Sequence, residues 1–316
     1  MPNARSSPGL GESSAPISDP AKIVFVGGTG RSGTHVVAQI LGRHSELKNI
    51  SNEVRFHVDP GGFPDLLAGR ITTEQFVEHL RGRWWRGFAL QRLSFKGLHR
   101  YVSRADLDAA IERFLAAYGS DPETACRALF LELLMPEAEA DGKPGLVEMS
   151  VHTIVEAPTL HRIFPEAKFI HIVRDGRDAG ASRVAQARWI DSPRTLKQGL
   201  SWWEERMRAI DAAQKQVPQE QYLAISLDEL IDLRRRDTFH RLRRFLELSS
   251  EKAMWGFFRR QVSGGHGNVG RWRRRKSKKT QREVDTLYLE ILDNFERDQV
   301  NGWRMLKRVH DERAGG

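Results

Sequence analysis

The stretch Ile-Val-Phe-Val-Gly-Gly-Thr-Gly-Arg-Ser-Gly-Thr-His, residues 23–35, decides the fold class of this chain. Its four apolar residues predict a buried strand, and the glycine-rich turn after them leads into a predicted helix. Glycines let the backbone approach a ligand closely, and the first N–H groups of a helix are unpaired donors at the positive end of its dipole. The stretch therefore predicts a loop that binds a phosphate or sulfate group. The residues of this anion-binding loop are Gly30, Arg31, Ser32, Gly33, Thr34 and His35.

Three kinds of nucleotide-binding loop share this outline, and the first belongs to dinucleotide-dependent oxidoreductases. Residues 28–33 match the G-x-G-x-x-G fingerprint, and Glu53 lies twenty residues beyond Gly33, near the place where that fingerprint has its acid. Against this reading, residues 45–53 are mostly polar and predict no second strand to carry the acid.

The second kind is the loop of nucleotide kinases and other nucleoside triphosphatases. The glycine spacing fits, but Thr34 stands at the lysine position and His35 at the hydroxyl position. Without that lysine and a magnesium ligand, ATP or GTP chemistry is disfavoured. The third kind has its cation inside the loop, where this chain has Arg31.

A second motif follows another predicted strand. Residues 168–173, Lys-Phe-Ile-His-Ile-Val, predict a buried strand, and the sequence from Arg174 to Ser182 predicts the start of a helix. An arginine at a strand end can point into the crevice above the sheet, and Ser182, about two turns along the helix, can contact the same ligand. The motif therefore predicts a second anion site, made by Arg174 and Ser182.

The same motif also fits a purely structural role. Arg174 and Arg177 could pair with Asp175 and Asp178 on a solvated helix start, and by itself the motif does not decide between the two roles. Because the glycine-rich loop predicts an anion site at the same edge of the sheet, we favour ligand binding for Arg174.

Together the two motifs resemble those of the sulfotransferases that use 3′-phosphoadenosine 5′-phosphosulfate (PAPS), especially the branch with the tyrosylprotein and glycan enzymes, in a soluble bacterial form. The resemblance spans residues 22–60 and 144–190. It implies that residues 28–34 hold the 5′-phosphosulfate and that residues 164–178 with Ser182 hold the 3′-phosphate. It also implies transfer of a sulfuryl group from PAPS to a hydroxyl or amine, with no metal ion.

The resemblance extends to the catalytic base. Residues 51–56, Ser-Asn-Glu-Val-Arg-Phe, resemble a segment of the tyrosylprotein enzymes in which an acid is followed two positions later by arginine. This implies that Glu53 takes the acceptor proton, which a poor nucleophile such as an alcohol requires, and that Arg31 or Arg55 stabilises the transferring group. An exposed Glu53–Arg55 pair is the structural alternative, and His35 and His57 are the alternative bases.

The chain departs from the family pattern in two places. Met149 stands where relatives have a lysine that steadies the sulfuryl group, so the arginines must supply that charge. Leu227-Asp228 stands where relatives have Tyr-Glu, which leaves the adenine contacts open. Near the C-terminus, residues 267–272 resemble a loop that closes over the nucleotide, which implies Arg271 as a further ligand of the 3′-phosphate.

Composition agrees with an enzyme of anionic substrates. Lysine and arginine number 50 against 41 acids, a net charge of +9 in 316 residues, and residues 271–279 carry seven cations. This basic run could contact an anionic acceptor or surface, whereas no nucleic-acid-binding module accompanies it, so nucleic acid is not an expected partner. Small molecules, glycans and peptides are the acceptor classes that we expect. The single cysteine, Cys126, excludes an internal disulfide.

Alternating strands and helices predict an α/β fold with a doubly wound parallel sheet. Residues 1–20 predict a disordered tail, and residues 21–316 a single sulfotransferase domain with a helical, acceptor-side insertion at 60–143. No apolar run spans a membrane and no leader is apparent, so we expect a cytoplasmic enzyme. The predicted strands are residues 23–26, 146–149, 169–173 and 222–225. The predicted helices are residues 34–43, 73–83, 106–118, 156–163, 177–189 and 195–215.

Overall fold

The computed structural model describes residues 20–87, 89–90, 93–94, 97–186, 192–263, 269–274 and 276–314. The tail predicted for residues 1–20 lies outside this part of the chain, apart from Pro20. The strands are β1 (Lys22–Gly28), β2 (Leu47–Asn49), β3 (Ala89–Leu90), β4 (Leu93–Ser94), β5 (Gly145–Glu148), β6 (Lys168–Val173) and β7 (Tyr222–Ser226).

Five of these strands form one parallel sheet in the order β2-β5-β1-β6-β7, and β3 and β4 form a separate antiparallel hairpin. Val26 of β1 lies beside Ile170 of β6, and Phe25 beside Glu148 of β5. The carboxyl ends of the three central strands are therefore neighbours, and side chains that follow them share one crevice.

The helices are α1 (Thr34–Leu41), α2 (Phe63–Leu67), α3 (Thr73–His79), α4 (Arg104–Tyr118), α5 (Pro122–Glu139), α6 (Ala157–Ile163), α7 (Gly176–Val184), α8 (Leu196–Gln214), α9 (Arg235–Phe245), α10 (Lys252–Gln261), α11 (Lys278–Arg297) and α12 (Trp303–Ala314). Shorter helical turns comprise the π turns Leu80–Trp84 and Glu229–Leu233 and the 3₁₀ turns Leu98–Arg100, Gln219–Gln221 and Arg271–Arg273.

The central strand β1 buries both of its faces. Ile23 and Phe25 belong to a core that also contains residues of α5, α6, α8 and α11, whereas Val24 and Val26 belong to a second core with α1, α9 and α10. Successive side chains of a strand point to opposite faces, so helices must cover both sides of such an apolar strand. The doubly wound parallel α/β sheet predicted from the sequence is confirmed.

All four predicted strands are present, but the expectation that residues 45–53 contain no strand is wrong. Leu47–Asn49 pairs with β5 at the edge of the sheet. Leu47 is buried while Lys48 reaches the surface and pairs with Asp141, so a short edge strand of this kind lacks the apolar run that marks a buried strand. Glu53 lies four residues beyond its end.

The helix predicted at 73–83 is divided, because α3 ends at His79 and a π turn, Leu80–Trp84, continues from it. The helix predicted at 177–189 ends at Val184, and Trp189 lies outside the described residues. The described part of residues 60–143 consists mainly of helices α2 to α5, as predicted. Its placement on the acceptor side stays a prediction. Within the described residues, no helix combines the length and the apolar character needed to cross a bilayer.

Candidate active site

The anion-binding loop connects β1 to α1 in a conformation that its sequence requires. Gly33 caps α1 with a φ of 90°, and a Cβ there would lie 2.8 Å from the methyl carbons of Leu227. Gly28 is equally constrained, since a Cβ would lie 2.7 Å from the carbonyl oxygen of Ile172. Arg31 itself has a positive φ of 59°, a strained conformation for a residue with a side chain. The loop is thus folded tightly around the start of α1, whose first N–H groups lack helical partners.

Ser32 provides a test of whether this loop fits an anion. Its side chain is buried, and its hydroxyl oxygen has no hydrogen-bond partner among the described residues. Burying an unpaired hydroxyl costs free energy, and an anionic oxygen on the loop would remove that cost. The loop therefore fits a phosphate or sulfate ligand.

Arg31, Arg174 and Ser182 converge, although they come from three separate parts of the chain. The Arg31 side chain donates from Nε to Ser182 Oγ at 3.0 Å, and Arg174 Nη1 donates to the Arg31 carbonyl oxygen at 2.7 Å. Burial and the charge of Arg174 lower the pKa of the Arg31 guanidinium, while Glu53 opposes the shift. The charge of Arg174 therefore reaches the Arg31 guanidinium, and an anionic ligand bound here would be stabilised by both side chains.

Arg177, in contrast, has a structural role. It forms an ion pair with Asp175, with Nε and Oδ1 3.0 Å apart, and a second with Asp285. Both Arg177 and Asp175 are buried, so the solvated helix start considered above is wrong for this pair. Asp178 accepts from the backbone N–H groups of Gly270 and Trp272, at 2.7 and 3.1 Å, which fixes that segment against α7.

Glu53 lies at the other side of the crevice, in the loop after β2. Its side chain is 11% exposed, and one carboxylate oxygen has no hydrogen-bond partner among the described residues. Burial raises the pKa of the Glu53 carboxyl to about 7, against the charge of Arg55 and with that of Glu148. Half of such groups carry a proton near neutral pH, which suits a general base.

Arg55 is held by a second acid rather than by Glu53. Its Nε lies 2.8 Å from Asp59 Oδ2 and 3.7 Å from Glu53 Oε2, and its φ is 64°. Asp59 also contacts His152 Nδ1 at 3.1 Å. The Glu53–Arg55 ion pair considered from the sequence is present as a long contact of 3.7 Å, but its expected exposure is wrong, because both side chains belong to a half-buried cluster.

Below this loop, Glu148 at the end of β5 forms a buried network. It accepts from His57 Nε2 at 2.9 Å and from Ser150 Oγ at 2.6 Å, and Ser150 Oγ in turn accepts from the Arg55 backbone N–H at 3.2 Å. Burial acts to raise the pKa of Glu148, but His57 and the hydrogen bonds outweigh it and lower that pKa. The network holds the Glu53 loop on the sheet.

The structure separates the two alternative bases. His57 is fully buried and bonded to Glu148, so an acceptor cannot reach it. His35 lies on the first turn of α1, where partial burial of its ring and the charge of Arg31 lower its pKa, so it stays open as an alternative base. Glu53 combines partial exposure with a pKa raised to about 7, and we keep it as the first candidate for the base.

The family departures also have structural explanations. Met149 is buried in the core beneath α1, so no charge replaces the family lysine there. Leu227 packs against Gly33, and Asp228 accepts from the Asp175 N–H at 3.1 Å and from Arg313 at 2.8 Å. Arg271 is exposed in a 3₁₀ turn, and residues 264–268 of its loop lie outside the described part of the chain.

A cavity of about 610 Å³ lies along α1, from Val36 in its first turn to Arg43 beyond its C-terminal end. Val36, Arg43, Phe257 and Arg260 are among its lining residues, and the Arg43 guanidinium lies 4.9 Å from the centre of the Phe257 ring. Its aromatic and cationic lining is suited to a planar base with an attached phosphate.

Sequence reasoning missed several residues at the crevice. Trp202 packs against the loop, with ring atoms 3.7 Å from where a Cβ of Gly30 would lie. Tyr101 Oη accepts from the Asn52 backbone N–H at 2.8 Å, next to Glu53. Arg183 directly follows Ser182 in the sequence, and this position was the signal that a third cation lies near Arg31 and Arg174.

Among the described residues no group of three or more histidine, cysteine, aspartate and glutamate side chains is arranged to hold a metal ion. Cys126 is buried in α5, and burial raises the pKa of its thiol. The expectation that the reaction uses no metal stays a prediction.

Comparison with known proteins shows the family of the chain. The family model described as "Sulfotransferase family" matches residues 23–252, and the chain belongs to that family. Among solved structures, it resembles the sulfotransferase domain of the Synechococcus PCC 7002 olefin synthase, at 17% identity and a TM-score of 0.55 over 88% of this chain and 98% of that one.

Two further solved structures are more distant. Sulfotransferase STF1 of Mycobacterium tuberculosis H37Rv is 13% identical with a TM-score of 0.46, over 77% of this chain and 72% of that one. Mouse sulfotransferase SULT7A1, complexed with PAP, is 12% identical with a TM-score of 0.45, over 91% of this chain and 88% of that one. The resemblance predicted from the two motifs is confirmed at the level of the family and the fold.

Proposed function

We propose that the protein transfers the sulfuryl group of PAPS to a hydroxyl or amine of an acceptor, with adenosine 3′,5′-bisphosphate (PAP) as the other product. The observation that carries this proposal is the convergence of Arg31, Arg174 and Ser182 at the strand ends, across the crevice from a half-buried Glu53. The kinase and oxidoreductase alternatives rest on the glycine-rich loop alone and assign no ligand to Arg174 and Ser182.

The donor half of the site would bind PAPS through its two anionic ends. Arg31, Ser32 and the first N–H groups of α1 would bind the 5′-phosphosulfate, and Arg174 with Ser182 would bind the 3′-phosphate. We place the adenine at the cavity beside α1, near Val36 and Phe257. Arg271 would add a contact to the 3′-phosphate from the edge of the site.

The acceptor half would supply the base. Glu53 in its ionised form would take the proton as the acceptor oxygen or nitrogen bonds to sulfur and the bond from sulfur to the 5′-phosphate oxygen breaks. The N–H groups of the loop and the Arg31 guanidinium would stabilise the charge that develops on that leaving oxygen. Positioning and electrostatics would then account for most of the rate enhancement, as in phosphoryl transfer.

Calorimetric titration with PAP, 5′-AMP, ATP and NAD at one salt concentration tests the proposal. We expect PAP to bind at least tenfold more tightly than 5′-AMP, since a charge-assisted contact to the 3′-phosphate is lost in 5′-AMP. An acceptor screen with ³⁵S-labelled PAPS, covering phenols, glycans and peptides, should then give a labelled product. Preferential binding of ATP or NAD would assign the loop to a kinase or an oxidoreductase instead.

A further inference from the structure

Two arginines beside the proposed PAPS site are placed for a ligand that the donor half does not include. Arg183 follows Ser182 on α7, and Arg206 lies on α8. Both are half-buried, and the described residues offer neither of them a carboxylate within 4 Å. Their neighbour Arg208 differs, because it pairs with Glu204 at 3.0 Å and with Asp298 at 2.8 Å.

The packing of α7 on α8 brings these side chains together. A Cβ on Gly180 would lie 2.7 Å from the carbonyl carbon of Gly199, so the two helix backbones touch at this pair. Three residues further along each helix lie Arg183 and Trp202, and the Arg183 guanidinium is 5.6 Å from the centre of the Trp202 ring. Arg206, four residues beyond Trp202, lies on the same face of α8.

The two arginines repel each other, and within the described residues no carboxylate forms an ion pair with either of them. Burial and the charge of Arg183 lower the pKa of Arg206, and the charge of Glu205 opposes the shift without outweighing it. A guanidinium cluster of this kind destabilises the free protein, whereas an oxyanion bound between the two side chains would stabilise it. The stacking of Arg183 on Trp202 leaves the edge of its guanidinium available for hydrogen bonds.

The cluster lies beside the loop that would hold the transferring group. Trp202 packs against this loop at Gly30, where a Cβ would also lie 3.7 Å from Val151, two residues after Met149. The charge of Arg183 also contributes to the lowered pKa of Arg31. A group bound here would therefore approach the reacting centre from the acceptor side.

We propose that Arg183, Arg206 and Trp202 form an acceptor subsite that binds an oxyanion, a carboxylate or a sulfonate, next to an apolar or aromatic part of the acceptor. This inference rests on the proposed function, because it concerns the substrate accepted at the same centre. It differs from the basic run at residues 271–279, which follows another part of the chain.

Binding of three related naphthols to the PAP-saturated protein tests the subsite. The probes are 6-hydroxy-2-naphthoate, 6-hydroxynaphthalene-2-sulfonate and the uncharged 6-hydroxy-2-naphthamide, and calorimetry measures each dissociation constant. We expect the wild-type protein to bind at least one of the two anions at least tenfold more tightly than the amide, through charge-assisted hydrogen bonds. Preference for only one anion would identify the oxyanion that the subsite accepts.

The variants Arg183→Gln and Arg206→Gln should each reduce this preference to about threefold or less, and Arg208→Gln, on the same helix, should keep it. Three results would overturn the proposal. The wild-type protein could bind the amide and the anions equally, or it could bind neither anion measurably. The third is a preference for the anions that survives in both variants. A loss of PAP affinity in Arg206→Gln without any preference among the probes would assign the pair to the nucleotide and also overturn it.

The PAP titration of the wild-type protein keeps the two proposals distinguishable. If PAP binds no better than 5′-AMP, the proposed function fails whatever the naphthols do. If PAP binds with the expected preference and the naphthols do not discriminate, only the acceptor subsite fails.

Discussion

The crevice has two halves whose candidate site residues carry opposite charges. We call the half that follows β1 and β6 the cationic half, and the half that follows β2 and β5 the acidic half. Arg31 and Arg174 occupy the first half, and Glu53 and Glu148 the second. Within the acidic half, Glu148 accepts several hydrogen bonds and has a lowered pKa, while burial raises that of Glu53. Environments that separate the pKa values of two carboxyls allow them different tasks, which fits an anchoring role for Glu148 and the proposed proton transfer by Glu53.

The cationic half shows a similar division between two arginines three residues apart. Arg177 is buried against Asp175 and stabilises the start of α7, whereas Arg174 points to the Arg31 carbonyl oxygen. Sequence spacing places both at one strand end, but only the packing of α11, which brings Asp285 to Arg177, distinguishes their roles.

The largest expected effect is a loss of turnover when the proposed base, Glu53, is replaced. Glu53→Gln should lower kcat with PAPS by about a thousandfold, because general-base catalysis contributes on the order of 10²–10⁴. Steady-state kinetics measure kcat, and calorimetry on the same preparation measures PAP affinity. We expect the PAP affinity of the variant to stay within threefold of the wild-type value. Glu166→Gln, an exposed acid paired with Arg127, is the matched control. A Glu53→Gln enzyme with nearly full kcat would remove Glu53 from the base role.

The next largest effect is on binding by the cationic half. Arg174→Gln should raise KM for PAPS by roughly tenfold to a hundredfold, because it removes a charge-assisted contact to the nucleotide. The effect on kcat should be smaller, so the two halves separate in the kinetics. Arg162→Gln, which removes an exposed pair with Glu123, should change neither constant. A fall in kcat at constant KM would place Arg174 in the chemical step instead.

The pH dependence should follow Glu53. Its carboxyl must be ionised to accept a proton, and its folded-state pKa is about 7. As pH falls through 7 the ionised fraction falls, so kcat/KM should decrease about tenfold per pH unit below that value. Burial and the charge of Arg31 lower the pKa of His35, which moves its protonation further below the transition expected for Glu53. A rate that stays constant down to pH 5.5 would be inconsistent with this role of Glu53.

A smaller effect is expected at Ser182. Its hydroxyl is a neutral hydrogen-bonding group that contacts Arg31, so Ser182→Ala should weaken PAP binding by about fivefold. Ser201→Ala, an exposed serine on α8, should leave the affinity unchanged. If Ser182→Ala weakened binding as much as Arg174→Gln, the arginine would not be the dominant ligand of the 3′-phosphate.

Much of the cationic half could be predicted from the sequence, because glycine spacing and strand ends determine the backbone there. Gly33 and Arg174 are each adjacent in sequence to the strand or helix that positions them. The acidic half depends on contacts between distant segments. His57 and Ser150 meet at Glu148 only after β2 has paired with β5, and β2 has no apolar run to reveal it.

The same reason explains why Arg183 and Arg206 were missed. Their proximity depends on the close contact of Gly180 with Gly199, and small residues at a helix crossing have no distinctive local pattern. The adjacent tryptophans cannot be distinguished by their sequence alone: Trp203 is fully buried in the core, whereas Trp202 packs against the loop at Gly30.

The most direct test of the central claim compares PAP with 5′-AMP in the wild-type protein and in Arg174→Gln, by calorimetry at one pH and salt concentration. The account predicts that the wild-type protein prefers PAP by about tenfold to a hundredfold, and that Arg174→Gln reduces this ratio to a few fold with little change for 5′-AMP. An equal ratio in both proteins would contradict the assignment of the 3′-phosphate to Arg174 and, with it, the division of the crevice into donor and acceptor halves.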